Sequence, residues 1–338
     1  MAITKISLKR FTAFEDLEFK PSRGINVLVG ANGTGKTHLM KVAYAACDIS
    51  KTGSSFAEKL NRVFLPSGRS IGRLVKRRKE SSKCTIRISR GSRRLDLTFS
   101  NHTKSTRGAR VLRSSQWNAE PIESVYIPVK EMLANAPGFR SLYAQRDLHF
   151  EEIYDDILAR AYIPILRGPI NQERKRLLDR LRKIIAGKVR VSNEEFFLRG
   201  REGNLEFSLL AEGIRKLGLL WLLVQNGTLL NGSVLFWDEP ETNLNPRLFE
   251  AVVGILFELQ RMGVQIFVAT HDYAILKELD LQKENKDRLA FHSLFRADDT
   301  GDIVCNKVRS YLDLHPNAIA EAFTDLYDRE VARSLAGK

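Results

Sequence analysis

Cysteine is scarce: Cys47, Cys84 and Cys305 are odd in number, far apart and outside any CxxC or Cys/His spacing. This argues against a disulfide framework and against a zinc centre, and leaves three buried or incidental thiols. Long apolar runs are also missing. The longest, about Leu217 to Val224, falls far short of the roughly 20 residues that cross a bilayer. Met1 to Phe11 carries charge with no apolar core behind it and does not read as a signal peptide. A soluble, cytoplasmic protein without a membrane partner is expected. No heptad run, low-complexity tract or internal repeat occurs, so no long coiled-coil arm is expected. Acidic residues are under-represented, 40 against 54 Lys and Arg, for a net charge of +14. Such a charge strengthens encounters with polyanions, although nucleotide phosphates recruit Lys and Arg as well.

What is present suits a globular chain. With 338 residues, 43% hydrophobic, there is material for one large core or two domains. Ile3 to Phe11 largely alternates apolar and polar and predicts a strand; Leu17 to Phe19 predicts a second. Ile25-Asn26-Val27-Leu28-Val29 is apolar at most positions, as a buried parallel strand is. A glycine loop follows it, then a helix from about Gly35 to Ala46. Thr85 to Ile88 and Leu95 to Phe99 predict a hairpin around Arg90 to Arg93, preceded by the basic run Lys76 to Lys79. Ser124 to Pro128 predicts a strand that returns to the core sheet. Ala134 to Gly187 reads as mostly helical, with Leu177, Leu178, Leu181, Ile184 and Ile185 on one face and Arg174, Lys175, Arg180 and Lys183 opposite. A hairpin is expected around Gly200 to Gly203, then a helix near Gly213, a strand Val234 to Trp237, a helix Pro246 to Met262 and a strand Val264 to Val268.

Four constellations carry chemistry. Gly30-Ala31-Asn32-Gly33-Thr34-Gly35-Lys36-Thr37 fits GxxxxGK[ST], with His38 next in the helix. Glycines in such a loop let backbone N–H groups turn inward around a β-phosphate, and the following helix aims its positive end at the same anion. Lys36 would neutralise β- and γ-phosphate oxygens and the Thr37 hydroxyl would ligate magnesium. Ser233 to Pro240 is an apolar strand ending in two acids. Asp238 there would hold the magnesium water shell, and Glu239, pointing elsewhere, would polarise the attacking water. His271, in Ala269-Thr270-His271-Asp272 at the end of the next strand, can hydrogen-bond a γ-phosphate. Leu210 to Lys216 opens a helix with Gly213 in its first turn and Arg215 and Lys216 beside it, an anion-site pattern.

In that order, the motifs resemble the ABC-type ATPase superfamily, and most closely its soluble SMC-like branch, with RecF, the SMC proteins and the "overcoming lysogenisation defect" ATPases. Leu8-Lys9-Arg10-Phe11 and the D-loop-like Glu241 to Pro246 strengthen the resemblance. It implies an α/β fold with an ABC-ATPase-like P-loop core of mixed or parallel sheet and flanking helices, a β-hairpin-rich subdomain and a helical insertion. The core would take 1–52, 121–133 and 205–338; the basic β-rich part 53–120; and the helical lobe leading to the signature 134–204. It also implies ATP and Mg2+ as cofactors, and a homodimer that clasps two ATP molecules head to tail. Ala211, Glu212, Gly213 and Arg215 would act as the signature across the dimer interface. Arg10 and Phe11 become candidates for adenine contact by position.

Two departures qualify the resemblance. Ala211 stands where a signature serine usually binds γ-phosphate, and no glutamine directly follows strand Val125 to Pro128, leaving Lys130 or Glu131 as substitutes. Slow, regulated hydrolysis is the expected activity. Since small stand-alone members resemble ATPase subunits of bacterial anti-phage systems, the first expectation is an ATPase that controls a partner effector, a nuclease or toxin. The alternative is a DNA-clamping or repair ATPase of RecF or SMC type. Its duplex surface would be Arg73, Lys76, Arg77, Arg78, Lys79, Arg87, Arg90, Arg93 and Arg94, with Arg174, Lys175 and Arg180 as a second patch; a merely solvated basic face weighs equally. A transporter subunit is disfavoured by the missing glutamine, the extra helical region and the N-terminal strand.

Overall fold

The computed structural model describes residues 2–146, 148–201 and 203–336. The chain opens with strands β1 (Lys5–Phe11), β2 (Phe14–Phe19) and β3 (Ile25–Val29), then helices α1 (Lys36–Thr52) and α2 (Phe56–Phe64). Strands β4 (Lys83–Arg90), β5 (Arg93–Ser100) and β6 (Arg110–Leu112) follow, with helix α3 (Ser114–Asn118) and strand β7 (Ser124–Ile127). Helices α4 (Phe139–Gln145), α5 (Glu152–Ala161) and α6 (Gln172–Ile184) lead to strands β8 (Lys188–Ser192), β9 (Glu195–Gly200) and β10 (Gly203–Glu206). Helix α7 (Glu212–Gln225), strand β11 (Val234–Asp238), helix α8 (Phe249–Arg261), strand β12 (Gln265–Ala269) and helix α9 (Tyr273–Gln282) come next. Strands β13 (Leu289–Arg296) and β14 (Ile303–Val308) and helix α10 (Ala318–Ala336) end it.

The central sheet runs β14-β13-β3-β12-β11-β7, all parallel except the antiparallel edge strand β14. β3, β11 and β12 are buried at every position, which requires cover on both faces. The period of two divides their side chains accordingly. Val27, Leu235, Trp237, Ile266 and Val268 join the core beneath α7 and α8. Leu28, Phe236, Phe267 and Ala269 join the other core, around α1 and the antiparallel sheet.

That second sheet has the order β2-β1-β4-β5-β6. The stretch 53–120 thus supplies three strands to a sheet whose other two come from residues 5–19, because β1 pairs with β4 from Lys5–Ser89 to Lys9–Thr85. Between the two sheets lies α1, with Ala43, Ala45 and Ala46 small enough for close packing. The predicted helix ending near Ala46 continues to Thr52 and stops at Gly53, whose φ of 72° suits glycine. A third sheet, β10-β9-β8, contains the hairpin expected near Gly200 and one strand more, β8, from a stretch read as the end of the helical lobe.

Two basic residues expected on a DNA-facing surface, Arg90 and Arg174, are interior, and others are engaged by partners within the chain. Arg90 is fully buried, stacks over Trp117 at 4.5 Å and donates to the carbonyls of Trp117 and Glu120. Arg174, also buried, donates to the carbonyls of Val224 and Gln225 and so closes the C-terminal end of α7. Arg180 lies over Gly254 of α8 and pairs with Glu258 at 2.7 Å. Arg87, Arg94 and Arg113 converge on Asp96. Carbonyls inside the chain account for the burial of Arg90 and Arg174, while Arg87 and Arg94 remain exposed.

His292 of β13 is buried against Phe19, with ring centroids 4.4 Å apart, and its Nε2 lies 3.1 Å from Asn26 Oδ1. Burial, with Lys307 adding to it, pulls its pKa from 6.5 down to about 3. A depressed imidazole contributes its full stability above pH 6.5 and loses it as the pH falls from there toward 3. Urea midpoints should therefore drop from pH 7.5 to pH 5, and His292→Gln should flatten the slope by up to about 1.4 kcal/mol per pH unit. An unchanged slope in the variant would contradict this.

Candidate active site

The phosphate loop joins β3 to α1 at the carboxyl edge of the central sheet, where open α/β sheets bind ligands. Gly30, Gly33 and Gly35 have φ of 153°, 80° and 87°. A Cβ on Gly30 would collide with the Leu294 carbonyl, and one on Gly35 would sit 2.5 Å from the Phe14 ring. Thr34 is buried and its Oγ1 donates to the Ala31 carbonyl at 2.9 Å, while Ala31, Asn32 and Gly33 remain exposed. Lys36 folds back over the loop and donates to the carbonyls of Gly30 (2.6 Å) and Ala31 (3.2 Å). Burial brings its pKa down to about 8, against the attraction of Asp238, Glu239 and Glu241.

Next to β3 in the sheet lies β12, and beyond it β11, so the loop, both acids and the histidine meet at one edge. Asp238 is buried. Its Oδ1 accepts from Thr37 Oγ1 at 3.3 Å and its Oδ2 from Tyr126 Oη at 2.9 Å. Burial raises its pKa, and the two hydrogen bonds oppose the rise. One carboxylate and one hydroxyl beside a phosphate loop suit Mg2+, which keeps most of its ligands as water and phosphate oxygen.

Glu239 has a φ of 47°, a left-handed conformation that a non-glycine residue holds only when its surroundings impose it. Its N–H donates to the Ala269 carbonyl at 2.9 Å, which fixes the turn, and its side chain meets partners different from those of Asp238. Glu239 Oε2 accepts from Thr242 Oγ1 at 3.1 Å, and Oε1 lies 3.8 Å from His271 Nε2. Burial and then Lys36 lower the His271 pKa, with Glu239 acting against them. A neutral imidazole here can donate one hydrogen bond and accept another.

The family described as "AAA domain, putative AbiEii toxin, Type IV TA system" matches residues 25–277. The chain belongs to the AAA_21 family. Its phosphate-loop motif and fold are similar to those of P-loop ABC-type ATPases of the SMC/RecF branch. Curated relatives include the DNA replication and repair protein RecF of Cytophaga hutchinsonii, 47% identical over 47 residues, 14% of this chain and 12% of the relative. RecF of Bacillus mycoides is 33% identical over 97 residues, 29% of this chain and 26% of the relative. These matches span no more than about a quarter of the relatives' length. Among solved structures, an SMC head bound to the C-terminal winged-helix domain of ScpA aligns over 92% of this chain and 99% of that one, with TM-score 0.57 and 13% identity. The Pyrococcus furiosus Smc head with an extended coiled coil, bound to the C-terminal domain of ScpA, covers 97% of this chain and 99% of that one, with TM-score 0.54 and 13% identity. At such identity the likeness is one of fold.

In this AAA_21 chain the signature-like segment opens α7 with Ala211 as its N-cap, and no side chain caps the helix. Gly213 lies against the D-loop-like turn, where a Cβ would stand 2.8 Å from the Asn243 carbonyl. Lys216, fully buried, donates to the Thr242 carbonyl at 2.9 Å, and Asn243 Nδ2 donates to Glu212 at 2.7 Å. Arg215 is engaged within its own chain: it pairs with Glu131 at 2.6 Å and donates to the carbonyls of Phe207 and Leu210. Glu131 is therefore turned onto α7, while Lys130 is exposed.

His38 packs edge-on to Phe64 at 5.5 Å, and burial lowers its pKa to about 4. Phe11 is fully buried against the same ring at 5.5 Å, so it is core rather than an adenine platform. Two members of the site were read from sequence only as strand or loop. Tyr126 reaches Asp238 from β7. Glu241 accepts from Thr270 Oγ1 at 2.8 Å and from the His271 N–H at 2.9 Å. A polar ring in an apolar strand, and an acid in a turn next to two others, were the available signals.

The loop geometry separates its glycines. Gly33→Ala meets no neighbouring atom and should cost only the left-handed backbone penalty, about 1 kcal/mol. Gly35→Ala adds a clash with the buried Phe14 ring and should cost about 2–4 kcal/mol. Chemical denaturation of the two variants checks this; equal losses would count against it.

Proposed function

We propose that this chain binds ATP with Mg2+, hydrolyses it slowly, and uses the nucleotide state of a head-to-tail homodimer to control a partner effector in anti-phage defence. The observation that carries this reading is the meeting of Lys36, Thr37, Asp238, Glu239 and His271 at the ends of three adjacent strands. The loop's N–H groups and Lys36 would hold the phosphates, with Thr37 and Asp238 toward the cation. Bound Mg2+ would supply positive charge against the phosphate oxygens. Glu239 would take a proton from the attacking water, and His271 would hold a γ-phosphate oxygen by a hydrogen bond. Slow turnover fits Ala211, which has no hydroxyl to offer, and an Arg215 already held by Glu131. The family's description names a toxin–antitoxin setting, which supports a partner effector. No helix among the described residues is long and apolar enough to cross a membrane.

Glu239→Gln keeps the size and the Thr242 hydrogen bond but removes the base. Hydrolysis should fall by about two to four orders of magnitude while ATP binding persists, and light scattering should find an ATP-dependent dimer. Turnover at the wild-type rate would remove Glu239 from the role of base.

A second reading, ATPase activity coupled to duplex DNA, is favoured by one surface feature. A recess of about 340 Å³ is lined by Arg73, Lys76, Arg77 and Arg78. Lys76 and Arg78 pair with Glu15, and Lys76 also with Asp302, but Arg73 and Arg77 are exposed and have no ion-pair partner among the described residues. The RecF relatives are named as replication and repair proteins. Under this reading linear duplex DNA stimulates the ATPase, the stimulation fades between low and moderate salt, and neutralising Arg73 and Arg77 abolishes it. A rate indifferent to DNA points to a protein trigger instead.

A further inference from the structure

We infer that Tyr126 is a positioning residue for the cation site, pinning one oxygen of Asp238 so that the other faces Thr37. This rests on the reading of Asp238 as the carboxylate that holds the magnesium shell. Tyr126 lies on the edge strand β7, in register with Phe236 of β11, and is 1% exposed. Its ring is stacked on Phe236, with centroids 6.3 Å apart and planes 17° apart, and meets Tyr44 of α1 edge-on at 5.6 Å. Two aromatic rings thus fix where its hydroxyl points. A phenylalanine would make the same ring contacts, so packing alone does not call for the hydroxyl.

The hydroxyl meets one group, Asp238 Oδ2, at 2.9 Å. Asp238 Oδ1 is 3.3 Å from Thr37 Oγ1, a long contact that a cation entering between the two oxygens can replace. A carboxylate at a strand end can turn about its terminal torsion, which is broad and roughly two-fold. With Oδ2 held by a buried donor, that rotation is restricted and Oδ1 keeps its orientation toward Thr37. Hydrogen bonding to ligating carboxylates is a general way of setting a metal site. The donor here comes from the strand at the sheet's edge, outside the phosphate loop and outside the acid pair.

The test is Tyr126→Phe, measured as the affinity of a fluorescent ATP analogue in EDTA and across a Mg2+ titration. Expected are an affinity in EDTA within two-fold of the wild type and a nucleotide-free melting temperature close to it. The Mg2+ concentration that half-saturates the enhancement of nucleotide binding should rise at least five-fold. Placed on Asp238→Asn, the same substitution should change the Mg2+ response by less than two-fold, because the two residues act through one contact. An unshifted Mg2+ midpoint, an equal loss in EDTA, or independent effects in the double variant would each overturn the role of Tyr126. A wild-type protein whose nucleotide affinity ignores Mg2+ would instead overturn the underlying reading of Asp238, and the role of Tyr126 with it.

Discussion

Helix α1 is enclosed between two sheets, so its polar side chains have to find partners within the protein. Asp48 is paired with Lys59 at 2.7 Å and Arg160 at 2.5 Å. Tyr44 donates to Asp156 at 2.7 Å, Lys41 to Glu151 at 2.6 Å, and Ser50 Oγ accepts from the Ile122 N–H at 2.9 Å. Lys59 also meets Asp156 and Glu152, so α1, α2 and α5 share one buried ionic cluster. Removing one member of such a cluster leaves an uncompensated buried charge, typically a loss of about 3–5 kcal/mol. The cluster holds the helix that carries Lys36 and Thr37, and through Tyr44 and Tyr126 it adjoins the support of Asp238. The helix behind the phosphate loop is therefore anchored by α2 and α5.

Much of the core was legible because its chemistry is local. A strand buried on both faces must be apolar at every position, and β3, β11 and β12 are. The phosphate loop follows one, the acid pair ends another and His271 follows the third. Their meeting follows from the parallel order of the sheet, which no window of sequence contains. β8 was missed because Lys188, Arg190 and Ser192 alternate with Val189 and Val191 only briefly, directly after a helix with its own apolar period. The pairing of β1 with β4 was hidden for another reason, a separation of about eighty residues in the chain.

The basic residues were the least legible. A charge count treats Arg73 and Arg90 alike, yet one is exposed without an ion-pair partner among the described residues and the other lies beneath Trp117. Guanidinium groups can satisfy several carbonyls at once and stack on an aromatic face, so Arg is a workable interior residue where a helix ends or a loop crosses. Arg174 and Arg180 follow the same logic on α6. Their partners, the end of α7 and the side of α8, exist only once the chain has folded.

The turn at 239–245 has a consequence of its own. Glu239 faces His271, Glu241 holds the backbone of His271, the Thr242 carbonyl receives Lys216, and the Asn243 carbonyl makes room for Gly213. Seven residues are thus the common footing of Glu239, the histidine loop and the first turn of α7. The contacts of α7 and of the His271 loop therefore converge on one short stretch of backbone. It follows that a substitution in this turn would disturb the Glu239–His271 pair and the first turn of α7 together.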